Sequence, residues 1–190
     1  MEFTVQHTCS KDGEKEDITS KVPFLSKYDP SKGQLPFLGE GYYFWEYNLE
    51  YAKIWGDLHY DRQYYVFESD VEIDHNVDGF YLDLAGNRKH LVGFVDLLRE
   101  FELIHPEGTK GVDLCYVIKY LREACPEEVF PFKVIRAVDY KNSEKLGIKI
   151  DFTGRGKDPS FTILNPRIII SYKNKGDIIY KKPPYITFTS

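Results

Sequence analysis

Hydrophobic and polar residues alternate at several places along the chain, and this period of two predicts β-strands. The clearest strand pattern covers residues 64–73, and the first strand is predicted at residues 3–7. The remaining predicted strands cover residues 42–45, 80–84, 132–138, 148–152, 167–172 and 177–180. For the tail around Lys181-Lys182-Pro183-Pro184, the pattern leaves open whether the chain is ordered or forms a contact arm.

Several other segments show the helical period of 3.6 residues instead. Longer helices are predicted at residues 46–55, 88–101 and 112–125. Gly56 and Pro126 are expected to end the first and the third of them. A short helix is also predicted at residues 18–25, with Asp17 as its cap.

Strands at both ends with helices between them indicate an α+β fold and not alternating βαβ units. A length of 190 residues suits one domain with a full core and is too short for two comfortable domains. We therefore expect residues 1–190 to form a single α+β domain.

Aromatic residues make up 16% of the chain, with 15 Tyr and 13 Phe. Tyrosine has a large apolar body and a polar tip, so this content indicates half-buried strands or a cleft that stacks flat ligands. Packing within strands accounts for most of these residues.

Charge and cysteine content narrow the class of protein. The net charge is −5, and no basic run is longer than Lys181-Lys182, which disfavours nucleic acid as a partner but leaves room for a local basic patch. No apolar run approaches the ~20 residues that span a bilayer, so we expect no membrane partner. The three cysteines are scattered and the sequence shows no secretory leader, so we expect a cytoplasmic protein. No His or Cys residues have the spacing of metal ligands, so we expect no metal.

The segment with the most specific chemistry is Gly39-Glu40-Gly41, followed directly by the aromatic run Tyr42-Tyr43-Phe44-Trp45. Two glycines one residue apart allow a sharp turn and a close approach of the backbone to a ligand. The aromatic strand then places a tyrosine ring at the mouth of a cleft, where it can stack on a flat heterocycle. The alternative is a glycine-rich turn that only leads into a core strand, and both interpretations stay open.

Five fragments occur in an order that resembles one family. They are His7-Thr8, the run from Leu38 to Glu46, Leu82-Asp83-Leu84, Val134-Ile135-Arg136 and Asn165-Pro166-Arg167. In this order they are similar to ADP-ribosyltransferases of the diphtheria-toxin and poly-ADP-ribose-polymerase type, and above all to small bacterial domains of that superfamily. The resemblance covers most of the chain and implies a split β-sheet core with flanking helices.

The resemblance also implies site residues for NAD as the substrate. His7, with Thr8 beside it, would hold the adenosine-side ribose, and Tyr43 would stack on nicotinamide. Gly39, Gly41, Phe44 and Tyr51 would complete the binding set. The sequence departs from the family where it has Thr8 directly after His7, because the family has a glycine between the two.

A third residue of the family, usually an acid near the last strands, would stabilise positive charge on the ribose as nicotinamide leaves. Its expected place falls on or near Ser160, with Asp158 close by as a substitute. Glu68 and Glu72 are further candidates, and the alternative for both is a solvated charge on the outside of a strand.

We therefore expect an enzyme that transfers ADP-ribose from NAD, or hydrolyses NAD, and releases nicotinamide. The acceptor is open and includes protein, and a bacterial toxin or defence role is compatible with this chemistry. The alternative is a binding module that has lost catalysis and recognises a nucleotide, ADP-ribose or a protein partner. NAD binding without nicotinamide release would distinguish the second hypothesis from the first.

Overall fold

A computed structural model describes residues 1–104, 113–151 and 161–190 of the chain. Its centre is a mixed sheet of eight strands. These strands are β1 (Glu2–Ser10), β2 (Leu25–Ser26), β3 (Gly41–Glu46), β4 (Tyr64–Glu72), β5 (Tyr81–Asp83), β6 (Val134–Val138), β9 (Ile168–Tyr172) and β10 (Ile179–Thr189). Seven of them follow the order β10-β4-β1-β3-β9-β6-β5, and β2 pairs with the beginning of β3, at Gly41 and Tyr42. A separate two-stranded antiparallel sheet consists of β7 (Lys149–Asp151) and β8 (Phe161–Ile163).

Five helices lie within the described residues, and they are α1 (Lys15–Lys21), α2 (Leu49–His59), α3 (Arg88–Glu100), α4 (Leu114–Ala124) and α5 (Tyr140–Leu146). The main core fills the space between α2, α3, α4 and one face of the sheet, called the helical face below. Trp45, Val66 and Ile135 line this face, and Ala52, Phe94 and Ile118 meet them from the helices. The predicted α+β class is therefore confirmed.

The other face of the sheet, called the second face below, carries its own core. Because side chains alternate along a strand, residues on either side of Trp45 and Ile135 point to this face. Val5, Phe44, Val71, Ile170 and Tyr172 form the cluster, and all are essentially buried. Both faces of the sheet therefore carry buried apolar clusters, which explains why aromatic residues occupy both sets of positions in β3.

Two predicted helices have different bounds in the structure. The helix predicted at residues 18–25 is α1, which begins at Lys15 and ends at Lys21, because Pro23 cannot continue a helix. The helix predicted to end at Gly56 is α2, which runs on to His59. Gly56 lies inside it because a Cβ at this position would be 2.4 Å from the ring of Tyr64, so glycine serves packing here and not termination.

Elements without a strong sequence pattern were predicted only in part or were missed, and of β10 only the beginning, at residues 179–180, lies within a predicted strand. Strand β10 runs through Pro183 and Pro184 to Thr189, although the pattern left this tail undecided. It lies at the edge of the sheet, where proline is tolerated in a strand. The short helix α5 and the strands β2 and β8 were not predicted, since segments of two to seven residues carry little periodicity.

Candidate functional site

His7 lies on β1 with its ring on the second face of the sheet, and only 7% of the residue is exposed. Its Nδ1 is 2.9 Å from the carbonyl oxygen of Tyr43, and its Nε2 accepts the backbone N–H of Phe24 at 3.2 Å. A carbonyl only accepts, so Nδ1 carries the proton and the ring is neutral. Burial lowers the pKa of His7 to about 4. Both ring nitrogens are thus engaged inside the protein.

Tyr43 points to the opposite, helical face of the sheet. Its hydroxyl donates to the carbonyl oxygen of Gly39 at 2.5 Å and accepts the backbone N–H of Leu38 at 2.7 Å. Burial raises the pKa of Tyr43. Because the rings of His7 and Tyr43 lie on opposite faces, one ligand cannot contact both of them in this arrangement. Their assignment to NAD binding stays a prediction.

The two glycines of the turn have separate structural roles. Gly39 has a φ of +75°, which favours glycine. Gly41 begins β3, and a Cβ there would lie 2.5 Å from Oγ of Ser171 and 2.8 Å from the carbonyl oxygen of Tyr172. The close approach expected of the glycine pair therefore exists, but it brings β3 against β9 and α4 and not against an open cleft.

The other predicted NAD-binding residues are also inside the fold. Thr8 donates from Oγ1 to the carbonyl oxygen of Ala52, which ties β1 to α2. Phe44 belongs to the core of the second face. Tyr51 is 4% exposed, and its hydroxyl has no hydrogen-bond partner among the residues described. Asp158 and Ser160 lie outside the described residues.

An open cleft of about 420 Å³ lies on the helical face, beside the beginning of α2. Strands β1, β4 and β10 supply most of its surface. Its lining consists of Thr4, Gln6, Tyr47, Leu49, Glu68, Asp70 and Lys182. Glu68 was one of the two acidic alternatives from the sequence. The other, Glu72, does not line the cleft and forms an ion pair with Lys181 at 2.7 Å.

Hydrogen bonds between β1 and β4 fix the floor of this cleft. Thr4 donates to Oδ1 of Asp70 at 2.7 Å, and the amide nitrogen of Gln6 donates to Oε2 of Glu68 at 2.9 Å. Gln6 also accepts the backbone N–H of Asn48 at 2.7 Å, just before α2. Among the described residues Oδ2 of Asp70 has no hydrogen-bond partner. Hydrogen bonds thus hold the side chains of the floor in place, and the floor still offers an acceptor to a ligand.

Strand β10 forms one wall of the cleft through irregular pairing. Its register with β4 shifts between Lys182 and Tyr185, across Pro183-Pro184, so that Lys182 pairs with Asp70 and Tyr185 pairs with Glu68. A bulge of this kind redirects side chains. The Tyr185 hydroxyl donates to Glu68, and Nζ of Lys182 lies 4.1 Å from the centre of the Tyr185 ring. Contact with Tyr185, and then the charges of Asp70 and Glu68, raise the pKa of Lys182.

Tyr47 stands at the rim of the cleft with 81% of the residue exposed. Its φ is +46°, in the left-handed region that residues other than glycine seldom adopt. The backbone N–H of Tyr47 donates to the carbonyl oxygen of Thr4 at 2.9 Å, which holds this conformation. Unusual backbone conformations cluster at functional sites, so the exposed ring of Tyr47 beside the polar floor is a candidate contact for a ligand.

A network of largely buried charges lies on the second face. Arg136 donates to both carboxylate oxygens of Glu46, at 2.5 and 2.7 Å, and to Oδ1 of Asp83 at 3.0 Å. The same Asp83 oxygen accepts the backbone N–H groups of Ala85 and Gly86. Glu46, Asp83 and Arg136 come from three different fragments that carry the family resemblance. The structure brings these fragments together through one ion-pair network.

Within residues 1–104, 113–151 and 161–190, no group of three or more His, Cys, Asp or Glu side chains is placed to hold a metal ion. None of the helices in this part of the chain is long and apolar enough to cross a membrane.

Comparison with known proteins gives no relative. No family model matches the sequence, no curated protein matches it, and no solved structure matches the fold. The resemblance to ADP-ribosyltransferases therefore rests on the fragments and their order alone.

Sequence reasoning missed most of the cleft. The alternation of 64–73 placed Glu68, Asp70 and Glu72 on one face, and Thr4 and Gln6 follow the same alternation in β1. These were signals of a polar patch between two strands. Pairing of β1 with β4 decides that the two polar rows are neighbours, and no residue pattern gave that pairing.

Proposed function

We propose that this chain is a binding protein that holds a nucleoside-like ligand, with a flat ring and neighbouring hydroxyl groups, in the cleft. The observation that carries the proposal is the exposed ring of Tyr47 at the rim of a polar floor. The ring provides a stacking surface for a heterocycle. Asp70 provides a carboxylate acceptor for hydroxyl groups, since an ionised carboxylate only accepts.

Charge restricts the ligand further. Two carboxylates, Glu68 and Asp70, face one lysine, Lys182, across the cleft. A neutral or positively charged ligand is favoured there, and a pyrophosphate inside the cleft would be repelled. The nicotinamide riboside half of NAD carries a positive ring and a ribose, so it fits this charge. The phosphate groups of NAD or ADP-ribose would have to lie outside the cleft.

An ADP-ribosyltransferase-like fold is part of this proposal. Its support is the shared order of the fragments and the fact that three of them supply Glu46, Asp83 and Arg136 to one network. In this proposal the ligand binds in the cleft and not at His7 and Tyr43, because every polar side-chain atom of these two residues is already hydrogen-bonded within the protein.

Isothermal titration with nicotinamide riboside, adenosine and ADP-ribose tests the proposal. We expect nicotinamide riboside to bind more tightly than ADP-ribose, and Asp70→Asn to weaken binding at least tenfold. Glu72→Gln is the matched control, because Glu72 is on the same strand and face but outside the cleft. The proposal fails if none of the three compounds binds, or if Asp70→Asn binds as tightly as the control.

A second candidate, cleavage of NAD, is favoured by the position of Glu68 in the cleft. Its carboxylate would stabilise positive charge on the ribose while the bond between ribose C1 and the nicotinamide nitrogen breaks. The bonding electrons leave with nicotinamide, and water or an acceptor then attacks C1. Nicotinamide release that is lost in Glu68→Gln and retained in Glu72→Gln would establish this chemistry. Binding without release would establish the binding protein instead.

A further inference from the structure

Helix α4 lies directly on the glycine turn that precedes β3. A Cβ on Gly39 would be 3.1 Å from Cγ2 of Ile118 and 3.6 Å from Nη1 of Arg122. The absence of a side chain at Gly39 therefore lets the last turns of α4 come close. The guanidinium of Arg122 consequently covers the turn, at a place separate from the cleft.

The guanidinium of Arg122 has few partners. Its Nη1 donates to the carbonyl oxygen of Glu40 at 2.8 Å, at the surface of the protein. Its Nε and Nη2 are buried and have no hydrogen-bond partner among the described residues. Burial lowers the pKa of Arg122, and the nearby Tyr43 and Glu40 only partly oppose this effect.

Two other arginines that are largely buried have an acid close by. Arg136 binds Glu46 and Asp83, and Arg167 has Asp139 at 3.6 Å from its Nε. Within residues 1–104, 113–151 and 161–190, no carboxylate lies within 4 Å of Arg122. A largely buried cation with no acid beside it is unfavourable, and an anion relieves this cost.

We propose that the guanidinium of Arg122, where it covers the Gly39–Gly41 turn, is a binding position for an oxyanion, a phosphate or carboxylate group of a ligand. A guanidinium presents pairs of N–H groups that match two oxygens of such a group. Two of the three nitrogens of Arg122 make no hydrogen bond, so little is lost when the side chain turns outward to meet an anion. The site goes beyond the proposed nucleoside binding and does not depend on it.

The first experiment uses the unaltered protein and inorganic phosphate. The Nε–H signal of Arg122 is followed by NMR during titration with sodium phosphate, against sodium chloride at equal ionic strength. We expect a saturable shift with phosphate that chloride does not produce. A parallel titration with sodium acetate distinguishes a phosphate site from a carboxylate site. The absence of a saturable shift with both phosphate and acetate would overturn the proposal.

The second experiment compares two arginines. Arg122→Gln is expected to lower the affinity of the preferred anion at least tenfold, measured by the rise of the melting temperature with anion concentration. Arg99→Gln is the control, because Arg99 is an exposed residue already paired with Asp96 at 3.1 Å. The proposal is wrong if the anion stabilises the Arg122→Gln protein as much as it stabilises the control.

Discussion

Arg136 of β6 donates hydrogen bonds from two nitrogens to the carboxylate of Glu46 of β3, across the intervening strand β9. The side chains of Arg136 and Glu46 are only 14% and 15% exposed, so the pair is largely shielded from solvent. Asp83 on β5 binds the same guanidinium. One arginine therefore links three strands that are far apart in the sequence.

Removing this arginine is expected to destabilise the fold strongly. Arg136→Met leaves two carboxylates buried without a cation, and breaking a buried pair in this way costs about 3–5 kcal/mol. The control Arg99→Met removes an exposed pair and should change the free energy of unfolding by less than about 1 kcal/mol. Urea unfolding of both variants measures the difference. Equal stability of the two variants would show that the network is not a structural element.

His7 predicts a pH dependence of stability. Its pKa is about 4 in the folded protein and 6.5 in an unfolded chain, so between these values only the unfolded chain binds the proton. Lowering the pH through this window therefore favours unfolding, and the shift of about 2.5 pH units corresponds to about 3 kcal/mol. Above pH 6.5 the contribution is fully present.

Chemical unfolding at several values from pH 4 to pH 7 tests this effect. His7→Gln removes the titration while an amide can still donate to Tyr43 or accept from Phe24. The original protein should lose stability faster than the variant as the pH falls from 6.5 to 4. Parallel profiles for the two proteins would contradict the assignment of a buried neutral imidazole.

Two helical glycines should respond in opposite directions to alanine. Gly56→Ala in α2 would place a methyl group 2.4 Å from the ring of Tyr64, and overpacking of this kind destabilises by about 1–3 kcal/mol. Gly93 in α3 has no atom within 4 Å of the same position, so Gly93→Ala should stabilise by about 1 kcal/mol. Melting temperatures of both variants check the signs. A loss of stability in Gly93→Ala would show that α3 is packed differently.

Tyr47 is expected to contribute to binding and not to stability. Asparagine tolerates the left-handed backbone better than tyrosine, and the ring of Tyr47 buries little area. Tyr47→Asn should therefore change the free energy of unfolding by no more than about 0.5 kcal/mol. Titration with nicotinamide riboside should show at least tenfold weaker binding. Unchanged affinity in a stable variant would remove Tyr47 from the proposed site.

The long, regular elements could be predicted from the sequence because their patterns are local. The alternation in 64–73 gave β4, and the helical period in 88–101 gave α3 nearly residue for residue. Prediction failed where tertiary contacts overrode local preference. Gly56 suggested a helix end, but the ring of Tyr64 requires a glycine inside α2. Pro183 and Pro184 obscured β10, which is a strand because it lies at the edge of the sheet.

The candidate site was less predictable than the fold. The sequence drew attention to His7, Tyr43 and Glu68, but it did not reveal that the first two rings lie on opposite faces of the sheet. That separation follows from the alternation of a strand combined with the pairing of β1 and β3. Glu68 lines the cleft because β4 pairs with β1 on one side and with β10 on the other.

The sequence by itself determined the α+β class, the main strands and helices, and the residue types available for chemistry, because periodicity and composition act over a few residues. The tertiary structure alone decided which polar side chains have hydrogen-bond partners within the protein and which can still bind a ligand. All polar side-chain atoms of His7 and Tyr43 are hydrogen-bonded within the protein. Among the described residues, by contrast, Oδ2 of Asp70 and two nitrogens of Arg122 have no hydrogen-bond partner, and the ring of Tyr47 is exposed. Such differences depend on contacts between strands distant in the chain, and no local pattern encodes them.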